Sequence, residues 1–155
     1  MKTKYYIDTS VFGGIYDVEF EEFSKKLFQK ILDEGIIILF SGLTENELRN
    51  APEKVKEYIK NLTKENIEFL EITKESYELA NKYIEEKVVG ETSYDDCVHI
   101  ALATINRADV LISWNFKHIV NLKRIHGYNS VNMKNGYPIL EIRSPKEIID
   151  YEEKE

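Results

Sequence analysis

Tyr5-Tyr6-Ile7-Asp8-Thr9-Ser10-Val11-Phe12-Gly13-Gly14 is a short apolar run that ends on a carboxylate, followed by two hydroxyls and a glycine pair. Its aromatic and β-branched residues favour a strand over about 4–8. In an α/β protein, ligands gather where buried strands end, and an acid there is costly unless it has a partner. Asp8 is therefore the first candidate for chemistry, set against the simpler reading that Asp8 or Thr9 caps the next helix. Gly13 and Gly14 read as a turn between strand and helix, not as a phosphate loop, because no P-loop lysine follows.

Working outward, Phe20, Phe23, Leu27, Phe28, Ile31 and Leu32 recur at helical spacing and predict an amphipathic helix over about 19–34, stopped by Gly35. Ile36-Ile37-Ile38-Leu39-Phe40 is continuously apolar, as expected of a strand buried on both faces. A short helix over about 43–50 follows, then one opened by Pro52 with Val55, Tyr58, Ile59 and Leu62 on one side. Ile67 to Ile72 reads as a third strand, and Thr73 as the N-cap of a helix carrying Tyr77, Leu79, Ala80, Tyr83 and Ile84. Gly90-Glu91-Thr92 reads as a loop and Ser93 as the cap of a helix to about Arg107. Val110-Leu111-Ile112 is a fourth strand, with a turn at Trp114-Asn115. Residues 116–135 read as mostly helical with a break near Gly127, Pro138 to Ile142 as the last strand, and Ser144-Pro145 as the start of a final helix. Alternating strands and helices imply a single α/β domain over residues 1–150, three layers deep, with a mainly parallel central sheet flanked by helices. Residues 151–155 read as a charged tail.

The net charge of −7 argues against coating of nucleic acid by bulk electrostatics. From Val110 to Leu140, however, there is no Asp or Glu, and Lys117, Lys123, Arg124 and Lys134 form a local cationic surface suited to RNA or to an acidic partner. The lone cysteine, Cys97, excludes an intramolecular disulfide and a Cys-based zinc cluster, and reads as a small core residue in a reducing compartment. No apolar run approaches the roughly 20 residues that span a bilayer, and no signal-peptide core follows Met1. The expectation is a cytoplasmic protein with no membrane association.

Acidic and amide residues recur at equivalent places: Asp8 after the first strand, Glu47 in the helix after the second, Asp95 and Asp96 opening the helix before the fourth, and Asn115 directly after it. In a parallel sheet these positions converge on one edge. Crowded carboxylates repel one another unless a cation neutralises them, and oxygen-only ligands favour hard ions such as Mg²⁺ or Mn²⁺. Such a site suits in-line hydrolysis of a phosphodiester. Taken singly, each residue has a simpler role: a capping box over Ser93–Asp96, an exposed Glu47, a turn at Asn115. Their joint placement favours the metal site. A phosphatase of the haloacid dehalogenase type would need a second acid where Ser10 stands. Trp114, His118 and His126 receive no chemical role.

The stretches Tyr6-Ile7-Asp8-Thr9-Ser10-Val11, Ser41-Gly42-Leu43-Thr44-Glu45-Asn46-Glu47-Leu48, Asp96-Cys97-Val98-His99-Ile100-Ala101-Leu102-Ala103 and Leu111-Ile112-Ser113-Trp114-Asn115-Phe116, in this order and spacing, resemble PIN-domain proteins, the fold of VapC-type toxin ribonucleases. The resemblance covers about residues 4–150. It implies that Asp8, Glu47 and Asp96 bind Mg²⁺ (or Mn²⁺), with Asp95 as second choice for the third acid. Ser10 and Ser113 match hydroxyl positions beside the metal. Asn115 stands where the family often carries Asp, completing the catalytic set with one negative charge fewer. The implied function is a metal-dependent endoribonuclease, the toxin of a type II toxin–antitoxin pair, with RNA as substrate, an antitoxin protein as partner and a homodimeric assembly. The alternative is a catalytically weak PIN-like module that binds RNA or protein.

Overall fold

The computed structural model of the protein describes residues 2–62, 64–90 and 93–153. Five strands form one sheet in the order β3-β2-β1-β4-β5, comprising β1 (Lys4–Ile7), β2 (Ile37–Ser41), β3 (Ile67–Leu70), β4 (Val110–Ile112) and β5 (Ile142–Arg143). Every pairing is parallel, with Tyr6 opposite both Leu39 and Leu111. A parallel neighbour requires a crossover, and the crossovers here are helices on both faces.

Alternation along the strands divides the core in two. Tyr5, Ile7, Ile38, Val110 and Ile112 face the layer built from α1 (Thr9–Gly14), α2 (Glu21–Glu34), α4 (Glu53–Lys60) and α8 (Pro145–Glu153). Tyr6, Leu39 and Leu111 face the layer built from α5 (Lys74–Glu85), α6 (Tyr94–Ile105) and α7 (Leu122–Lys134). Each strand thus buries both its side-chain sets, which is why the β2 stretch reads as an unbroken apolar run. The short α3 (Gly42–Glu47) leaves the end of β2 and runs into a single 3₁₀ turn at Leu48–Asn50.

Several local expectations change. Gly13 and Gly14 do not form a turn: they close α1, which begins directly after Asp8. Gly14 is needed for packing, because a Cβ there would lie 2.8 Å from Ser24 Oγ and 2.9 Å from Trp114 Nε1. Gly127 does not break its helix either. α7 is continuous, and Gly127 makes room for Val88, whose Cγ1 a Cβ would meet at 2.7 Å. Residues 116–121 are turns, with Asn121 accepting from the Arg124 amide to cap α7. The last strand is only two residues and begins at Ile142, since both the amide and the carbonyl of Leu140 are taken by the Asn129 side chain. Ser93 occupies the N-cap of α6 but its hydroxyl makes no capping bond, and its Oγ is buried without a partner among the described residues. Glu91 and Thr92 of the expected loop, and residues 154–155 of the expected tail, lie outside the described residues. Among the described residues no helix is long and apolar enough to cross a membrane.

Trp114 Nε1 donates to the buried Ser24 Oγ at 2.8 Å, directly over Gly14. Gly14→Ala wedges this bond apart, and overpacking outweighs the gain in helix propensity. The expected loss is about 1–2 kcal/mol, read as a lower urea midpoint with an unchanged slope.

Candidate metal centre

The chain runs from β1 to β2 and β3 on one side of β1, then crosses back from β3 to β4 on its other side. The crevice between the carboxyl ends of β1 and β4 is therefore the topological switch point of the sheet, where ligands of open α/β sheets bind. Asp8 follows β1, Ser113 and Asn115 follow β4, Glu47 ends α3 and Asp96 lies in the first turn of α6.

Asp8 is 5% exposed. It is the N-cap of α1 and also the centre of the site, so the two readings of this residue coincide. One oxygen, Oδ2, accepts from Ser10 Oγ at 2.7 Å, Ser113 Oγ at 2.8 Å and, more weakly, the Ser10 amide at 3.4 Å. The same two hydroxyls accept from the Trp114 and Asn115 amides, which ties the β4 turn to Asp8. The other oxygen, Oδ1, has no hydrogen bond among the described residues and lies 3.4 Å from His99 Nε2.

Glu47 is divided in the same way. Its Oε1 accepts from Thr9 Oγ1 at 2.6 Å and meets His99 Nε2 at 2.6 Å, while Oε2 is unengaged among the described residues. Asp96 accepts only a long bond on Oδ2, from Asn115 Nδ2 at 3.4 Å. Glu47 and Asp96 thus each keep an oxygen uncommitted to the described protein groups, and Oδ1 of Asp8 meets only the His99 ring. Asn115 keeps none free, since its Oδ1 accepts from the amides of Lys117 and His118. It orients Asp96 and fastens the turn. Of the two adjacent acids, Asp96 is turned inward and Asp95 is exposed.

Sequence reading missed His99. It is fully buried, one helical turn beyond Asp96, and its Nδ1 meets Tyr6 Oη at 2.7 Å. Tyr6 Oη bonds Ser41 Oγ at 2.8 Å, and Ser41 Oγ in turn accepts from the Thr44 amide at the start of α3. A chain of buried bonds therefore runs from the end of β2 through β1 to Glu47. The Asp96-x-x-His99 spacing was the available signal, because residues three apart share a helix face. Donor atoms of Asp8, Glu47 and His99 all lie within 4.8 Å of one another.

The charges respond to this crowding. Burial and then the Asp8 carboxylate push the Asp96 carboxyl up to about 6. Burial raises Glu47 too, but the hydrogen bond and charge of His99 and the Thr9 hydroxyl outweigh it and leave the group below its usual value. Burial opposes charging of His99, yet Tyr6, Glu47 and Asp8 together hold its pKa well above the usual imidazole value. Three carboxylates share one imidazole here, so acid outnumbers base and a divalent cation would offset the excess. The unengaged oxygens are hard donors, so the set fits Mg²⁺ or Mn²⁺. Cys97, next to Asp96, is pushed by burial up to about 12 and is inert as a thiol.

The cationic window is divided in space. Lys117 is exposed beside Asn115. Lys123 and Arg124, joined by Lys87, line a cleft of about 430 Å³ at the start of α7. Lys134 lies about 15 Å further along that helix, where it pairs with Glu86. A second cleft, of about 740 Å³, opens at the opposite edge of the sheet beside α8, lined by Tyr5, Asp109, Glu141, Arg143 and Glu147, and holds none of the convergent carboxylates.

The molecule is thus a three-layer α/β domain with acidic side chains at the switch point of its sheet. The PIN domain family profile matches residues 5–117, and the chain belongs to that family. The fold is similar to a chain of the VapBC2 structure from Rickettsia felis, bound to a DNA fragment from their promoter, at 13% identity and a TM-score of 0.58, covering 92% of this chain and 98% of that one. It is similar to Mycobacterium tuberculosis VapC20, described as a Sarcin-Ricin loop cleaving toxin, at 14% identity and a TM-score of 0.53, over 69% and 86%. It is also similar to DNA-bound VapBC from Salmonella typhimurium, at 15% identity and a TM-score of 0.52, over 94% and 99%. No curated protein matches the sequence significantly.

Two outcomes follow from the charge arrangement. The folded protein holds the Asp96 proton up to about pH 6, whereas the unfolded chain releases it near pH 4. Between these values the folded state binds more protons, so metal-free protein loses stability as pH rises through the window. Asp96→Asn should stabilise the metal-free protein by about 1–2 kcal/mol at pH 7.5, after allowance for solvent screening, and by almost nothing at pH 4. Parallel thermal melts at the two pH values check this. Tyr6→Phe removes a buried hydroxyl bonded to both His99 and Ser41, and urea titration should register a loss of about 1–3 kcal/mol.

Proposed function

We propose that this chain is a metal-dependent endoribonuclease that hydrolyses RNA phosphodiester bonds, acting through one nuclease domain over residues 1–150. The observation that carries the reading is the close approach of Asp8 and Glu47, whose donor atoms lie with that of His99 within 4.8 Å of one another, beside a third acid, Asp96, that feels both charges. In this reading Asp8, Glu47 and Asp96 hold Mg²⁺ or Mn²⁺. The bound cation supplies Lewis-acid stabilisation of the pentavalent transition state and acidifies water. Ser10 and Ser113 fix the rotamer of Asp8. Thr9 and His99 fix Glu47 and offset part of its charge. Asn115 acts by orienting Asp96, and Asp95 adds only charge nearby. Lys117, Lys123 and Arg124 receive the RNA backbone, with Lys134 as an outlying contact.

RNA as substrate draws on the family and on the neighbour described as a Sarcin-Ricin loop cleaving toxin. An antitoxin protein as partner, a homodimeric state and a cytoplasmic setting are proposed from the same kinship, since two of the similar folds are VapBC assemblies. A catalytically weak RNA- or protein-binding module is the second reading, favoured by the amide at Asn115 in place of a fourth acid.

The two separate in a cleavage assay on structured RNAs with Mg²⁺ or Mn²⁺. Wild-type protein is expected to cut, and Asp8→Asn to lose at least about 10²-fold in rate with its thermal melt retained. Equal cleavage by the two proteins sinks the site assignment. Absence of both cleavage and calorimetric metal binding at millimolar concentrations leaves the binding-module reading.

A further inference from the structure

We propose that Phe116, backed by Trp114 and Phe20, is a stacking shelf that takes one unpaired nucleobase of a single-stranded RNA beside the carboxylate site. The shelf rests on the nuclease reading for the identity of the strand. Phe116 is 51% exposed, whereas Trp114 behind it is 8% exposed. The Phe116 and Trp114 rings meet edge to face with centroids 6.2 Å apart, and Trp114 stacks on Phe20 at 4.5 Å. Trp114 cannot swing away, since its indole nitrogen bonds Ser24 and its ring closes on Gly14. The shelf therefore has a fixed floor and one open aromatic face.

Phe116 is not at the tip of a loose loop. The Asn115 side chain accepts from the amides of Lys117 and His118, which locks the turn that presents the ring. Asn115 also bonds Asp96, and the Trp114 amide bonds Ser10, so shelf and site share their anchors. Phe116 directly follows Asn115 in the chain, so the ring is presented by the same turn that reaches Asp96. Charge favours a nucleotide over an apolar protein side chain. Lys117, next in the chain to Phe116, is exposed with no ion pair among the described residues, and the segment 110–140 that carries the ring contains no acid. Every base has a π face, so such a shelf selects single strands with little regard to sequence.

Trp114 is the only tryptophan in the chain, so its fluorescence reports on this place alone. The test titrates short 2′-O-methyl oligonucleotides, which cannot be cut through the 2′-oxygen, into the full chain in EDTA. The expected result is saturable quenching of Trp114. Phe116→Ala and Phe116→Leu should each weaken binding roughly tenfold, while Phe116→Tyr retains it. An abasic strand of equal length should bind as weakly to wild-type protein as the normal strand binds to Phe116→Ala. Matching free-protein emission and melting curves confirm that the variants fold. Equal affinity of wild type and Phe116→Ala overturns the shelf, as does equal affinity for the abasic strand, which would mean phosphate contacts alone. No quenching by any strand also overturns it and reassigns the ring to an apolar protein contact. Because no metal is present, quenching that depends on Phe116 in a protein that cuts no RNA sinks the nuclease reading alone. Asp8-dependent cleavage with Phe116-independent binding sinks the shelf alone.

Discussion

Repulsion among carboxylates is the constraint on which the carboxyl edge of this sheet depends. Asp8 is almost sealed from water, and Asp96 and Glu47 are close enough to oppose its charge. A buried charge is tolerable only with partners. Here they come from three directions: the hydroxyls of Ser10 and Ser113, the start of α1, and the imidazole of His99. Asp96 lacks comparable support, and burial first, then the Asp8 charge, raises its pKa. The protein therefore carries at this edge a cost that a bound cation would relieve.

The supports are backbone features as much as side chains. The Asp8 amide donates to the Ile112 carbonyl, so the ends of β1 and β4 are fastened before any side chain acts. Ser113 and Ser10 then accept from the turn amides that follow β4. On the other side, Tyr6 carries a bond from Ser41, at the start of α3, to His99 on α6. Displacing any strand of this set moves a carboxylate. Preorganisation of this kind is what a hard-metal site needs, since a misplaced ligand costs affinity directly.

Most of the fold was legible because it is written in periodicity. The unbroken Ile36–Phe40 run required a strand buried on both faces, and the spacing of Phe20 to Ile31 required a helix. These patterns reflect local geometry, and the structure obeys them to within a residue or two. Glycine was misread for a related reason. Gly14 and Gly127 look like punctuation in sequence, but each is a place where another segment, Trp114 or Val88, presses on the backbone. The last strand was overextended because apolar character at Ile139 and Leu140 does not distinguish ladder pairing from a covering loop.

By itself the sequence determined that strands and helices alternate, that the sheet is parallel, and that acids fall where strands end. These follow from chain connectivity and side-chain period, both of which are local. Tertiary structure decided the rest. It put His99 rather than solvent against Glu47, turned Asp96 inward and Asp95 out, and committed Asp8 Oδ2 and Glu47 Oε1 to hydroxyls from distant segments. It also set Phe116 outward on a fixed turn and separated Lys134 from the other cations. Those outcomes depend on which side chains from distant segments share a few ångströms and a low dielectric, where hydrogen-bond direction and charge repulsion outweigh any local preference.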